Sequence, residues 1–285
     1  VTVPDRDTAE AFASSWNNLP RGSVYTRAQF EDWMAPLRRE DFDGKAVLEL
    51  GCGNGSLLVH CKAWRPARVV GVDLGASVLA ARKNVELAEM SNAEIFQGDL
   101  GDFRSGGFDI TYCIGVLHHM TDPERGFRSV IRNTTPGGRF HCWVYAREGN
   151  AIVINVVDPI RKIASRLPWW LNKYVIATPL CVPYFAYAKA LKYAHTRWPA
   201  LFARLRNLLP LRDYSLWIAE REFAFFRHVA FDQLVTPQTT YIERTQIENW
   251  IGSCELVEPG STYIVMRNGN SWKFGGRRRV SEAAS

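Results

Sequence analysis

The chain has 285 residues, 47% of them hydrophobic, 12% aromatic and 22% charged. At ~100–200 residues per domain this is one large domain, or one domain carrying an insertion, and its apolar fraction excludes wholesale disorder and a collagen-like chain. Six cysteines (52, 61, 113, 142, 181 and 254) without a C-x-x-C pair exclude a zinc knuckle and a secreted disulfide framework. A reduced, cytoplasmic setting is expected, and VTVPDRDTAE shows no signal-peptide pattern. The net charge of +6 is unevenly placed: between Asn155 and Arg212 there are ten Lys or Arg and one acid, Asp158. That stretch carries +9, which leaves −3 on the rest and excludes a uniformly basic nucleic-acid binder.

In chain order, residues 5–40 read as helices, with Phe12 and Trp16 four apart and Thr26 as an N-cap before Phe30, Trp33 and Leu37. AVLEL is a short apolar run of the buried parallel type, followed by GCGNGSL, a helix, and RVVGVD as a second strand. Helix SVLAARKNVELAEM places Val78, Ala81, Val85 and Ala88 on one face, and AEIFQGD, FDITYCIGVL, a helix near 122–133 and GGRFHCWVYA continue the alternation. Such alternation predicts a doubly wound α/β fold with a parallel sheet covered on both faces. Residues 150–230 break the pattern: they are helical, aromatic and interrupted by six prolines, two of which, Pro179 and Pro183, are expected to break the uncharged run 174–188. After Thr245 come a helix around Trp250 and β-like runs CELVE, TYIVMR and SWKF, then a tail, 277–285, expected to be disordered.

Gly51, Gly53 and Gly55 form G-x-G-x-G between a strand and a helix, where a tight turn lets a ligand lie on bare backbone. Ser at 56 departs from the dinucleotide fingerprint G-x-G-x-x-G, which weighs against a nicotinamide dehydrogenase. Asp73 ends the second strand 22 positions after Gly51, near the ~20 expected of a carboxylate that accepts from a ribose diol. Asp99 ends the third and can accept from a purine amine. Each acid alone is equally a helix cap; at successive carboxyl ends of one sheet they point to an adenosine pocket.

E-L-G-C-G-N-G followed by G-V-D, G-D-L, F-D-I-T-Y-C-I-G-V-L-H-H and P-G-G, over roughly 45–146, resembles the class I S-adenosylmethionine-dependent methyltransferases of bacterial small-molecule type. The resemblance implies a seven-stranded Rossmann-like sheet, order 3-2-1-4-5-7-6 with strand 7 antiparallel, and a helical cap after strand 5. The domain layout then reads as N-terminal helices over the cofactor (1–40), an α/β core (41–149), the basic aromatic cap (150–230) and a C-terminal segment completing the sheet (231–276). It implies S-adenosylmethionine as cofactor, with S-adenosylhomocysteine as product. Gly51, Gly53 and Gly55 would pass its methionine part, with Cys52 lending backbone. Asp73 would hold the ribose beside Leu74, Asp99 the adenine amine beside the Leu100 amide, and Ile114, Gly115 and Val116 would lie near the amino group. Glu49 orients the glycine loop or the cofactor ammonium through water, or is a structural cap. Trp16 and Tyr25 are candidates to close over the cofactor, and either can instead be core.

Methyl transfer from a sulfonium needs alignment and exclusion of water, and a base only where the acceptor must lose a proton. His118 and His119, just past the fourth strand, are the base candidates; one packing inward and the other facing solvent or capping a helix is the alternative. Tyr145 can line the acceptor side or be core, and His60, His141 and His195 have no partner visible in the sequence. No His, Cys and carboxylate spacing suggests a metal. The position after strand four reads I-G-V-L-H-H rather than an N-P-P-Y type tetrapeptide, which argues against DNA as substrate. A small, apolar or lipophilic acceptor is expected, with Trp169, Tyr184 and Tyr241 as candidate contacts. The insertion reads as a structural cap, an acceptor lid or a peripheral membrane contact, which are not exclusive. An RNA methyltransferase using the basic segment is disfavoured but kept as an alternative, as is a catalytically silent binding module.

Overall fold

A computed structural model describes residues 2–17, 25–205 and 208–280. The chain begins with α1 (Val3–Asn17), α2 (Arg27–Met34) and α3 (Arg39–Phe42), then β1 (Ala46–Leu50) and β2 (Arg68–Asp73). Next come α4 (Val78–Leu87), β3 (Ala93–Gln97), β4 (Phe108–Ile114), α5 (Pro123–Asn133) and β5 (Thr134–Tyr145). A helical excursion follows: α6 (Asp158–Ala164), α7 (Trp169–Leu171), α8 (Thr178–Arg197), α9 (Pro199–Leu205), α10 (Arg212–Ala219) and α11 (Phe223–Val235). The chain closes with α12 (Arg244–Gly252), β6 (Tyr263–Arg267) and β7 (Ser271–Arg277). It divides into two compact units, one of residues 1–145, 238–265 and 272–285, the other of 146–237 and 266–271.

The seven strands lie in the order β3-β2-β1-β4-β5-β7-β6. β1 pairs parallel with both β2 and β4, and β4 with β5. Gly137 donates its amide to Arg278 O and Arg278 donates to Gly138 O at one end of β5, while Ala146 donates to Asn270 O at the other, so β7 runs antiparallel. The winding reverses between β1 and β4, and a reversal of this kind opens a crevice at the carboxyl ends of the strands. On one face, Phe30 and Met34 of α2 and Phe42 of α3 meet Leu58, Cys61 and Trp64 over β1 and β2. On the other, Phe127 of α5 lies 5.9 Å from Phe140 of β5, 6.0 Å from Trp250 of α12 and 5.8 Å from Phe274 of β7. All six cysteines are free and buried.

Local signals explain several boundaries. Thr26 caps α2 in a capping box with Gln29, and Asp122 caps α5 with Pro123 at its first turn. Where a helix was expected after the glycine loop, residues Leu58–Trp64 form a 3₁₀ stretch, closed by Arg65 in a left-handed conformation just before Pro66. CELVE makes no strand; its one sheet-like contact is the Val257–Arg278 bridge. That bridge, with β7 reaching Arg277, corrects the expected start of the disordered tail at 277, since residues 277–280 are placed; 281–285 lie outside the described residues.

In the second unit, Cys181, Ala188, Ile218, Ala219 and Phe226 form one apolar cluster, and Ala164, Ala177, Phe231 and Leu234 another. Pro159, Pro179 and Pro199 stand in first turns of helices, where their missing N–H costs no intrahelical bond. Pro183 does not break the run: α8 continues through it. The residue whose carbonyl loses its partner, Pro179, is exposed, so water can take the place of the lost donor.

Phe127 is fully buried and joins four elements of the first unit, so Phe127→Ala is expected to cost about 3–5 kcal/mol of unfolding free energy. Denaturant unfolding followed by circular dichroism checks this; a loss below about 1 kcal/mol would show that the site collapses around the cavity.

Candidate functional site

The glycine loop begins where β1 ends. The amides of Gly51 and Cys52 both donate to Val72 O, at 2.7 and 3.0 Å, which ties the loop to the end of β2. Gly51 has φ +81°, and a methyl group on it would stand 2.9 Å from Cβ and Cγ1 of Val116, so only glycine lets the loop lie against the end of β4. A methyl group on Gly55, at φ +72°, would stand 3.2 Å from Cα of Ala81 in α4. Between them, Gly53 donates its amide to Asp73 Oδ2 at 2.8 Å.

Asp73 is thus a hub. Besides Gly53, it accepts from the Gly75 amide and from Ser77 Oγ, both at 3.0 Å. Three bonds leave acceptor capacity on a carboxylate, which has about four sites. Burial raises its pKa against the pull of these donors. Glu49, at the end of β1, is 2% exposed and accepts from Tyr112 Oη at 3.1 Å; Tyr112 in turn lies 3.3 Å from Cys61 Sγ. Desolvation lifts the Glu49 carboxyl to about 8, helped by the neighbouring charge of Asp73 and opposed by the Tyr112 bond.

Asp99 accepts from Arg125 Nη2 at 2.8 Å and from the Gly101 amide at 2.8 Å. The same Arg125 nitrogen reaches Asp102 at 2.7 Å. Leu100 is buried and its carbonyl accepts from Ser129 Oγ, while the Leu74 carbonyl accepts from Gln97. Past β4, the Gly115 amide donates to Trp143 O at 3.0 Å and the His119 amide to Val116 O at 2.8 Å.

Both histidines are buried, and a returning segment holds them. Thr240 donates its amide to His118 O at 2.7 Å, and Ile242 donates to Tyr145 O at 2.9 Å, so residues 238–242 lie across the ends of β4 and β5. His119 Nδ1 lies 2.9 Å from Gln238 O. A carbonyl only accepts, so Nδ1 carries the proton and Nε2 presents its lone pair in the neutral ring. His118 Nδ1 accepts from the Tyr145 amide at 3.4 Å. The His118 ring is 4.1 Å from the rings of His119 and Tyr145, and Tyr145 stacks on Tyr241 at 6.4 Å.

α1 crosses the same end of the sheet. Thr121 donates its amide and hydroxyl to Asp5 at 2.8 and 2.9 Å, Phe12 meets the His119 ring at 5.0 Å, and a methyl group on Gly75 would stand 2.9 Å from Ala9 O. Of Trp16 the helix is described and the side chain is not. Tyr25 packs edge-on to Trp33 at 5.1 Å, and its carbonyl accepts from His60. In the second unit Tyr184 bonds Ser215 at 2.8 Å and stacks on Phe226, and the side chain of Trp169 lies outside what is described. His141 is structural: it donates to Trp33 O through Nε2 and accepts from Tyr263 through Nδ1. Sequence reasoning missed Tyr112, which stands inside the fourth-strand motif without being singled out, and Arg125 and Gln238, which stand in no motif; an acid at a strand end without a nearby cation was the only available signal for Arg125.

Residues 48–142 match the family model of the methyltransferase domain. They belong to the class I S-adenosylmethionine-dependent methyltransferases. An uncharacterised protein of Synechococcus is 33% identical over 119 residues, 40% of this chain and 28% of that protein. A ubiquinone biosynthesis O-methyltransferase of Pseudomonas fluorescens is 32% identical over 142 residues, 48% of this chain and 61% of that enzyme. Among solved structures, an O-methyltransferase family protein of Burkholderia thailandensis is 16% identical over 84% of this chain and 52% of that one, with a TM-score of 0.48. The chain spans less than two thirds of the length of these curated relatives.

The methyltransferase domain's residues fit S-adenosylmethionine. The glycine loop offers bare backbone, Asp73 retains acceptor capacity at the end of β2, and among the described residues no Lys or Arg pairs with the buried Glu49. A ligand ammonium would supply the cation that this carboxyl lacks.

Glu49 also sets a pH dependence. Its folded pKa, about 8, lies above its ordinary 4.5. The folded state therefore holds a proton the unfolded chain releases, and the stability this contributes is full below 4.5 and is lost as pH rises through about 8. Melting temperatures of the ligand-free protein between about pH 5.5 and 8.5 are expected to fall more steeply than those of Glu49→Gln. Parallel profiles would place the carboxyl's pKa outside this window.

Proposed function

We propose that the chain transfers the methyl group of S-adenosylmethionine to a hydroxyl of a small, apolar or lipophilic acceptor, reached at a membrane surface through the basic insertion. The observation that carries the reading is the contact of Gly51 with Val116, since His119 donates its amide to Val116 O one turn further on. Cofactor loop and imidazole therefore share one edge of the crevice. The name of the Pseudomonas relative supports an oxygen acceptor.

In this reading Gly51, Gly53, Gly55 and the Cys52 backbone pass the methionine chain, with Glu49 and the stretch Ile114–Val116 near its ammonium. Asp73 adds a ribose hydroxyl to the three donors it already holds, with Leu74 beside the base. Asp99, oriented by Arg125 and Gly101, takes the adenine amine, and Leu100 offers its amide. The bound cofactor supplies an electrophilic methyl on a sulfonium with a good leaving group. His119, with Nδ1–H held by Gln238 O, takes the acceptor proton at Nε2. His118, Tyr145 and Tyr241 wall the acceptor side, and α1 with Trp16, together with Tyr25, excludes water.

Two measurements test this. Calorimetric titration is expected to show saturable binding of S-adenosylhomocysteine and none of NAD, with Asp73→Ala weakened by about 1–3 kcal/mol. Binding of NAD alone would overturn the cofactor, and unchanged affinity in Asp73→Ala would overturn the ribose contact. Turnover of labelled methyl groups on phenolic acceptors is expected to drop ~10²–10⁴-fold in His119→Ala with cofactor affinity kept. Full turnover in that variant would remove the base role.

A further inference from the structure

α8 has an inward and an outward side. Inward, Cys181, Ala188 and Leu191 are buried. Tyr184 bonds Ser215 of α10, and Phe185 stacks on Phe226 of α11. A helix packed in this way ordinarily turns charged side chains to water. Here the outward side, with the turn leading into it, presents Tyr174, Val175, Pro179, Val182 and Ala186, all exposed and none charged, ahead of the exposed Lys189. Val175 and Val182 are 56% and 54% exposed.

Lys189 leans over the Phe185 ring and donates to Ala219 O, and the other cations are arranged around this apolar side. Arg161 is buried against Asp158 and Gln233, Arg212 pairs with Asp213, and Lys192 stands 3.8 Å from Glu220. Lys162 and Arg166 precede the apolar stretch, Arg197 and Arg204 follow it, and all four are exposed. Trp170 and Tyr174, each 52% exposed, stand at its start on either side of Lys173. Amphipathic rings beside cations and an uncharged aliphatic face suit the level of lipid head groups.

We infer that the outward side of α8 is a docking face for an anionic lipid bilayer, with Val175, Val182 and Ala186 entering the acyl boundary and the flanking cations meeting lipid phosphates. This names the surface on which the proposed reading relies for reaching a lipophilic acceptor. Among the described residues no helix is long and apolar enough to cross a membrane, so α8 lies on the bilayer. A second copy of this chain is a poorer occupant, because two segments of +9 would be brought face to face. A nucleic acid would use the cations but leave the aliphatic side chains in water.

Vesicle co-sedimentation of the full chain, without cofactor or acceptor, tests the face independently of methyl transfer. Binding to phosphatidylcholine vesicles carrying about 30% phosphatidylglycerol is expected to exceed binding to phosphatidylcholine alone by roughly tenfold, and to weaken as salt rises. The double variant Val175→Asp, Val182→Asp changes only exposed positions, and its melting temperature reports that it folds. It is expected to lose about tenfold in vesicle binding, as is Lys162→Glu, Arg166→Glu. No binding to anionic vesicles, equal binding to both kinds, or binding untouched by the aspartates would each overturn the inference. A dimer in sedimentation velocity that the aspartates dissociate, without vesicle binding, would assign the face to a second copy. Loss of vesicle binding with S-adenosylhomocysteine affinity intact separates failure of this face from failure of the methyltransferase reading.

Discussion

The backbone of Gly51 touches the side chain of Val116, and no side chain fits between them. Because β1 and β4 are the strands between which the winding reverses, this contact narrows the crevice where the fold places its ligand. It brings three things onto one edge: the amides of the loop, the carboxyls of Glu49 and Asp73, and the turn that carries His119. Enlarging residue 51 would displace all three together.

The electrostatics of that edge are one-sided. Glu49 and Asp73 are both raised by desolvation, and the nearest balancing groups are neutral donors: a phenol, two amides and a hydroxyl. Arg125, the cation of the next strand end, is taken up by Asp99 and Asp102. Two carboxyls kept from water, with no cation among the described residues beside them, make an edge that gains from a positively charged ligand. The positive charge of the chain is concentrated instead in its helical excursion.

What the sequence made legible follows from where its constraints are local. The glycine loop, the acids at strand ends and the caps at Thr26 and Asp122 are set by residues within a few positions of one another, whereas the order of strands was legible only through the resemblance to a known family. The 3₁₀ stretch at Leu58–Trp64 was not legible, because its apolar pattern suits either helix and only the left-handed Arg65 decides it. CELVE resembled a strand by composition, but it meets 277–279 only through the bonds of Glu258 N to Arg277 O and Arg279 N to Leu256 O, a single bridge that does not extend into a strand. Nor was the continuity of α8 across Pro183 visible, since it depends on which side of the helix meets water. At the site, the long-range partners were hidden: Gln238 meets His119 across 119 positions, and no spacing rule reaches so far.

The chain leaves the sheet at Tyr145 and is back beside it by Ile242, whose amide bonds the Tyr145 carbonyl. Nearly a hundred residues are thus spliced between two points a hydrogen bond apart. The closure entropy of such a loop grows only logarithmically with its length, so the sheet hardly registers how much chain is spliced in. A chain so built can exchange one excursion for another while the glycine loop and its acids remain as they are. Selection on the excursion and selection on the glycine loop then act on separate stretches of the gene.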